Sequence, residues 1–220
     1  HETGDVTMVL DNKLGIVDAV ELAREEERIS KLAALSLYRG GTLDRLAPGT
    51  FDTLGHIHCV LFGDIYDFAG TVRSVNLAKG SFRFASALYL SSALKSIEAM
   101  PQGTFDEIVE KYVEMNIAHP FREGNGRAGR IWLDHMLRRE LDRTVDWGKI
   151  GREDYLLAME RSPVRDLELK VLLNSALSDQ LDNFTLLARG LDASYAYEGY
   201  MAYRAEDLVR DEAVAKGDDD

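Results

Sequence analysis

Between Thr104 and Pro120 the chain writes both ends of one helix. Thr104 opens a T-F-D-E capping box, with Glu107 three positions on. Ile108, Tyr112 and Met115 then fall on one face, which predicts a helix over 105–118. Pro120 disfavours helical geometry at His119, so the helix stops there. A glycine-containing loop follows, and another helix is expected over 127–141. Further helices are expected over 16–39, where Gly40-Gly41 stops the pattern, and over 50–62, 86–100, 152–161, 165–181 and, briefly, near 192–198. One stretch reads differently. Residues 71–85 are rich in β-branched and aromatic side chains with Lys79-Gly80-Ser81 at the middle, which is a hairpin signal. With only 4 prolines in 220 residues and no internal repeat, the expected fold is mainly α with one β-hairpin, in a single domain over 1–220.

Charge narrows the function classes. The chain carries 26 Lys and Arg against 38 Asp and Glu, a net of −12. That sign repels phosphate backbones and anionic lipid, so neither nucleic acid nor a membrane surface is expected as a general partner. No apolar run approaches the ~20 residues of a membrane span. The opening HETGDVTMVLDNK has no basic start followed by a long apolar stretch, so no signal peptide is read. The single cysteine, Cys59, cannot form an intrachain disulfide and is expected as a small buried side chain in a cytoplasmic protein. The final GDDD is expected to be solvated.

Chemistry concentrates in HPFREGNGRAGR, residues 119–130. Gly124 and Gly126 let the backbone turn and expose N–H groups, and the next helix offers its N-terminus to the same space. Together these make an anion site. Arg127 and Arg130, three apart, share a helix face and can both point at the anion. Two arginines at a helix start oppose the macrodipole unless an anion sits there. Glu123 is a hard oxygen ligand of the kind Mg²⁺ uses while bridging phosphates. His119, with an intrinsic pKa near neutrality, is the natural general base. Asn125 can donate an amide to a phosphate oxygen. Taken alone, a short piece such as GNGR reads first as a solvated turn with a capping glycine; the whole string does not.

The whole string resembles the Fic signature, H-x-F-x-[DE]-G-N-G-R-x-x-R, at every defined position. That resemblance implies a Fic-type helical bundle, with a core over about 50–180, that moves AMP from ATP to a Tyr, Ser or Thr hydroxyl of a target protein. It implies His119 as the base, Phe121 as the loop's core anchor and Glu123 as the Mg²⁺ ligand. Gly124, Asn125 and Gly126 would cradle the α- and β-phosphates, Arg127 would steady the phosphates or the loop, and Arg130 would hold the γ-phosphate. Asn116 and Lys79 join the expected ATP-binding set. The hairpin, with Lys79 and Gly80 near its tip, resembles the family's flap, which docks a target segment as an added strand; a structural cover is an equal reading of it. Tyr155 and Met159 share a helix face and are candidates for the adenine wall, with core packing as the alternative.

SYAYEGY near the C-terminus resembles the Fic inhibitory motif, [ST]-x-x-x-E-[GN], through Ser194, Glu198 and Gly199. It implies an inhibitory helix over about 191–199, with Glu198 forming a bidentate pair with Arg130 and Ser194 steadying the turn. Tyr195 and Tyr197 flank that position and are expected sites of self-modification, Tyr195 first. Proteins of this small, self-inhibited type are associated with bacterial cytoplasmic targets, topoisomerase subunits among them, and a homo-oligomer could add control. Two other functions stay open: removal of AMP with Glu198 activating water, and a non-catalytic nucleotide- or partner-binding module. His56 and His58, two apart on a helix, do not share a face for a joint metal site. His135 reads as a core or surface residue.

Overall fold

A computed structural model describes residues 9–217. The first eight positions, on which the leader reading rests, and most of the GDDD tail lie outside the described residues.

The chain begins with α1 (Ala19–Arg39), capped by the Asp18 side chain, which accepts from Glu21 N at 2.8 Å. Next comes α2 (Phe51–Phe62), capped by Thr50. The hairpin forms as β1 (Ala78–Lys79) and β2 (Phe82–Arg83), antiparallel and only two residue pairs long, with Gly80-Ser81 at its turn. The expected helix over 86–100 starts late, because residues 87–89 make a single 3-10 turn before α3 (Leu90–Glu98). The capping box is present in full. It launches α4 (Phe105–Ala118), with Thr104 Oγ1 accepting from Glu107 N at 3.3 Å and Glu107 Oε2 accepting from Thr104 N at 3.2 Å. Then follow α5 (Asn125–Leu141), α6 (Arg152–Arg161), α7 (Leu167–Ser175), α8 (Phe184–Ala196) and α9 (Ala205–Gly217).

Three expectations are corrected. The helix read over 165–181 stops at Ser175, because the next residues are drawn into a second ladder. There β3 (Thr144–Val145) pairs antiparallel with β4 (Leu177–Ser178). The short helix near 192–198 is α8, 13 residues long. Gly190 lies in the middle of α8, where a Cβ would meet the Trp147 ring at an ordinary contact distance of 3.6 Å. Cys59 is exposed, not buried, since it lies on the outer side of α2 with Sγ 3.4 Å from the Ala69 carbonyl.

The core runs through α5. Trp132, Leu133, Met136 and Leu137 are fully buried there, and α5 packs against both α2 and α4. Asp134 anchors the next segment, accepting from Val145 N at 2.9 Å and Trp147 Nε1 at 3.0 Å. The α1 helix lies on α2 and also touches α8 and α9. Among the described residues no helix is long and apolar enough to cross a membrane.

Candidate active site

The signature loop is built between two helix ends. His119, the last cap of α4, takes a left-handed conformation at φ 50 and ψ 63, and so turns the chain out of the helix. Phe121 is fully buried and stacks on the His58 ring, centroids 3.8 Å apart. Asn125 closes the loop on Phe121, accepting from its N–H at 2.8 Å and donating to its carbonyl at 2.7 Å. The amide oxygen and one of the two Nδ2–H donors are thus used by the loop, which leaves one N–H for a further acceptor. Gly124 sits at φ 80, and a Cβ there would strike the Phe62 ring. The loop is also gripped from α2. His58 Nδ1 accepts from Gly70 N at 2.9 Å, so its Nε2 carries the proton and donates to the Glu123 carbonyl at 2.7 Å. Burial pushes the His58 pKa down to about 4.

His119 is held as a neutral imidazole. A carbonyl can only accept, so the 3.2 Å contact to Asn116 O fixes the proton on Nδ1 and leaves the Nε2 lone pair available. Asn116 thus meets the site through its backbone. The Phe84 ring lies flat on the imidazole, centroids 3.7 Å apart. Burial lowers the His119 pKa to about 4, and the nearby charges of Arg73 and Lys79 push the same way. Lys79 itself is exposed on the hairpin, beside Gly80 at its tip.

Arg127 and Arg130 of α5 are buried and share one carboxylate. Glu198 Oε1 lies 2.8 Å from Arg130 Nη2, and Oε2 lies 3.3 Å from Arg127 Nε. The expected bidentate pair with Arg130 alone is corrected to a bridge between two guanidinium groups. Ser194 completes the hold on Arg130, with its Oγ 2.7 Å from Nε and its carbonyl 2.8 Å from Nη2. Burial, the largest single influence, works against the Arg130 charge, but Glu198 together with the Tyr155 and Tyr112 hydroxyls outweighs it and raises the pKa. Glu198 also hangs over the loop, since a Cβ on Gly126 would collide with Oε1. A carboxylate therefore rests beside the glycine cradle, held by both cations, where the sequence places an anion. Glu198 and Gly199 lie past the end of α8, in a turn closed by Tyr200 N donating to Tyr195 O at 3.0 Å. Gly199 takes φ 86 to make that turn.

The tyrosines are structural in this conformation. Tyr195 is buried and donates to Ser30 Oγ at 2.7 Å. Tyr197 is buried and bonds the carbonyls of Trp147 and Ile150 at 3.0 and 2.8 Å. Burial raises both hydroxyl pKa values. Both hydroxyls are therefore turned inward in this conformation. Tyr155 is likewise no open wall. It is 2% exposed, shares a 2.6 Å hydrogen bond with the Tyr112 hydroxyl and stacks on Tyr197. Met159 is partly buried against the core.

Sequence reasoning passed over α1, whose buried polar face carries the C-terminal segment. Glu26 pairs with Arg127 and accepts from Tyr66. Glu27 accepts from Ala202 N and Tyr203 N at 3.1 and 2.7 Å. Lys31 reaches Asp192 Oδ1 at 3.1 Å and the Tyr203 carbonyl at 2.7 Å. A helix with polar residues at both inward and outward positions gives a blurred stripe, and that blur was the available signal.

For a metal, no three His, Cys, Asp or Glu side chains converge among the described residues. Glu123 is partly exposed beside the cradle and 3.2 Å from Arg127 Nη2. One hard carboxylate next to an anion site fits Mg²⁺, which takes the rest of its shell from water and substrate phosphates.

Comparison with known proteins agrees with this geometry. A family model described as Fic/DOC matches residues 48–137. The "Probable protein adenylyltransferase Fic" of Salmonella typhimurium is 30% identical over 186 residues, which covers 78% of this chain and 88% of that protein. The chain belongs to the Fic/DOC family. Another Fic/DOC relative, the protein adenylyltransferase VbhT of Bartonella schoenbuchensis, is 30% identical over 200 residues. That match covers 85% of this chain but only 40% of VbhT, so the chain spans well under half of that relative. The fold is similar to that of BepC from Bartonella tribocorum, a structure with bound AMPPNP, at a TM-score of 0.67 and 21% identity, covering 80% of this chain and 95% of that one. The Fic/DOC match spans α2 to α5 but not α1 or α8, the elements that bring Glu198 to the loop.

Proposed function

We propose that this chain is a protein adenylyltransferase held off by its own Glu198. The observation that carries the reading is the Glu198 carboxylate bridging Arg127 and Arg130 beside Gly126, on the same loop as a neutral His119. Family membership supports AMP transfer as the chemistry. The inhibitory role rests on the carboxylate occupying the cations that a triphosphate would need.

With Glu198 withdrawn, ATP lies along the loop, its phosphates on the amides of 124–126 and on Arg130. The target hydroxyl gives its proton to His119 Nε2. The oxygen then attacks the α-phosphorus, the bond to the β-phosphate bridging oxygen breaks, and pyrophosphate leaves. Glu123 would hold Mg²⁺, which supplies charge neutralisation when bound. Most of the acceleration comes from positioning and electrostatics. Both Glu198 oxygens are engaged by arginines, so no free carboxylate is poised to activate water, which favours transfer over AMP removal. A base with its proton fixed on Nδ1 favours an enzyme over a binding module. ATP as donor goes with a cytoplasmic site of action. The target presents a Tyr, Ser or Thr to the hairpin.

The test is labelling of a bacterial lysate with ATP carrying an α-phosphate label. Glu198→Gly is expected to label more than the parent, and adding His119→Ala is expected to reduce that signal ~10²–10⁴-fold. Equal labelling with and without His119 would remove the base from the mechanism.

A further inference from the structure

Arg73 lies outside the signature and is 6% exposed. Among the described residues no carboxylate pairs with it. It spends its donors on four backbone carbonyls: His119 O from Nε at 2.7 Å, Val75 O from Nη1 at 2.6 Å, and Ala85 O and Ala118 O from Nη2 at 2.6 and 3.0 Å. Its own N–H donates to Pro120 O at 2.8 Å.

These partners come from two places. Ala118 and His119 end α4, where carbonyls lack helical partners and the dipole is negative, so a cation is favoured there without a carboxylate. Val75 and Ala85 are the two legs of the hairpin, just before β1 and just after β2. Ala85 is tied to α4 a second time, its N–H donating to Ile117 O at 3.0 Å. The residue between that tie and β2 is Phe84, which covers His119. One planar fork therefore joins the left-handed residue that bears the base to both legs of the element over it.

We propose that Arg73 is a positioning residue that couples the hairpin to the base, so that the direction of the His119 ring and the placement of the flap are set by one side chain. The role rests on the reading of His119 as the base and of the hairpin as the flap. Lysine cannot replace it, because a single ammonium has no fork to reach four carbonyls.

The test is backbone amide hydrogen exchange, with ring ¹⁵N shifts of His119, on the full chain and on Arg73→Lys and Arg73→Gln. Both variants are expected to speed exchange at Phe84, Ala85 and His119 together, on the order of tenfold to a hundredfold, while the α5 core amides keep their rates. The ring shifts are expected to change from a single Nδ1–H tautomer to a mixture. Arg73→Lys keeps the positive charge, so a rise in the His119 pKa is expected in Arg73→Gln alone. Faster exchange on only one side, no change, or equal loss across the α5 core would overturn the coupling. In the Glu198→Gly background, Arg73→Lys is also expected to cut lysate labelling at least ~10-fold with ATP binding kept. If the Glu198→Gly parent labels nothing, the reading of function has failed, and the exchange data still decide the role of Arg73.

Discussion

Phe84 lies face to face with His119, ring centroids 3.7 Å apart and planes 13° from parallel. The contact takes one face of the imidazole away from water, which disfavours the imidazolium. An NMR titration should therefore find the His119 pKa near 4, well under the usual histidine value. Phe84→Ala re-exposes the ring and should move that pKa upward. A titration near 6.5 in the parent would mean the ring is solvated.

His58 makes a stability prediction with a definite sign. Its folded pKa of about 4 lies below the unfolded value, so the unfolded chain takes up the proton first as pH falls. Its contribution is complete above pH ~6.5, declines as pH drops, and is lost near pH 4, in total on the order of 3 kcal/mol. Urea midpoints measured across that window should fall in the parent, and the His58 share of the slope should vanish in His58→Phe. That variant keeps an aromatic ring against Phe121 but leaves the Glu123 carbonyl and Gly70 N–H unpaired, so it should start less stable by about 1–3 kcal/mol.

Glu198→Gly should trade stability for access. It strips the shared anion from two buried guanidinium groups, at a cost of about 1–3 kcal/mol given the partial exposure of the carboxylate. Thermal melts should show a lower Tm that Mg²⁺–ATP restores, with a larger ATP-induced rise than in the parent. The same rise in both proteins would mean Glu198 does not compete with nucleotide.

Glu27 offers a way to loosen the segment without touching the loop. Its carboxylate receives two backbone N–H groups beyond Gly199 and contacts Lys31 at 3.4 Å. Glu27→Gln should raise basal labelling several-fold and speed proteolysis near 199–204, with the Glu198→Gly variant setting the ceiling. Unchanged labelling alongside faster proteolysis would separate the tether from the brake.

The helix from Thr104 was legible because capping chemistry and a proline are local, and the structure ends that helix at the expected residue. The loop was legible because its residues match the Fic signature at every defined position. Three contributions were not, and each for a physical reason. His58 and Arg73 act through backbone carbonyls, which have no sequence signature. On the polar face of α1, Lys31 and Glu27 find partners in the C-terminal segment more than 160 residues away, so no window could pair Lys31 with Asp192 or Glu27 with Tyr203. Tyr195 and Tyr197 read as modification sites, and Tyr155 as an adenine wall or a core residue, because a hydroxyl pattern says nothing about which side meets Arg127 and Arg130.

The bridge from Arg130 to Glu198 crosses 68 positions of chain. On the ribosome the loop and both its cations emerge first, and their carboxylate emerges only after α6 and α7 have been made. For that interval Arg127 already has Glu26 on α1 to pair with, while Arg130 waits, without its carboxylate, in a medium rich in phosphates.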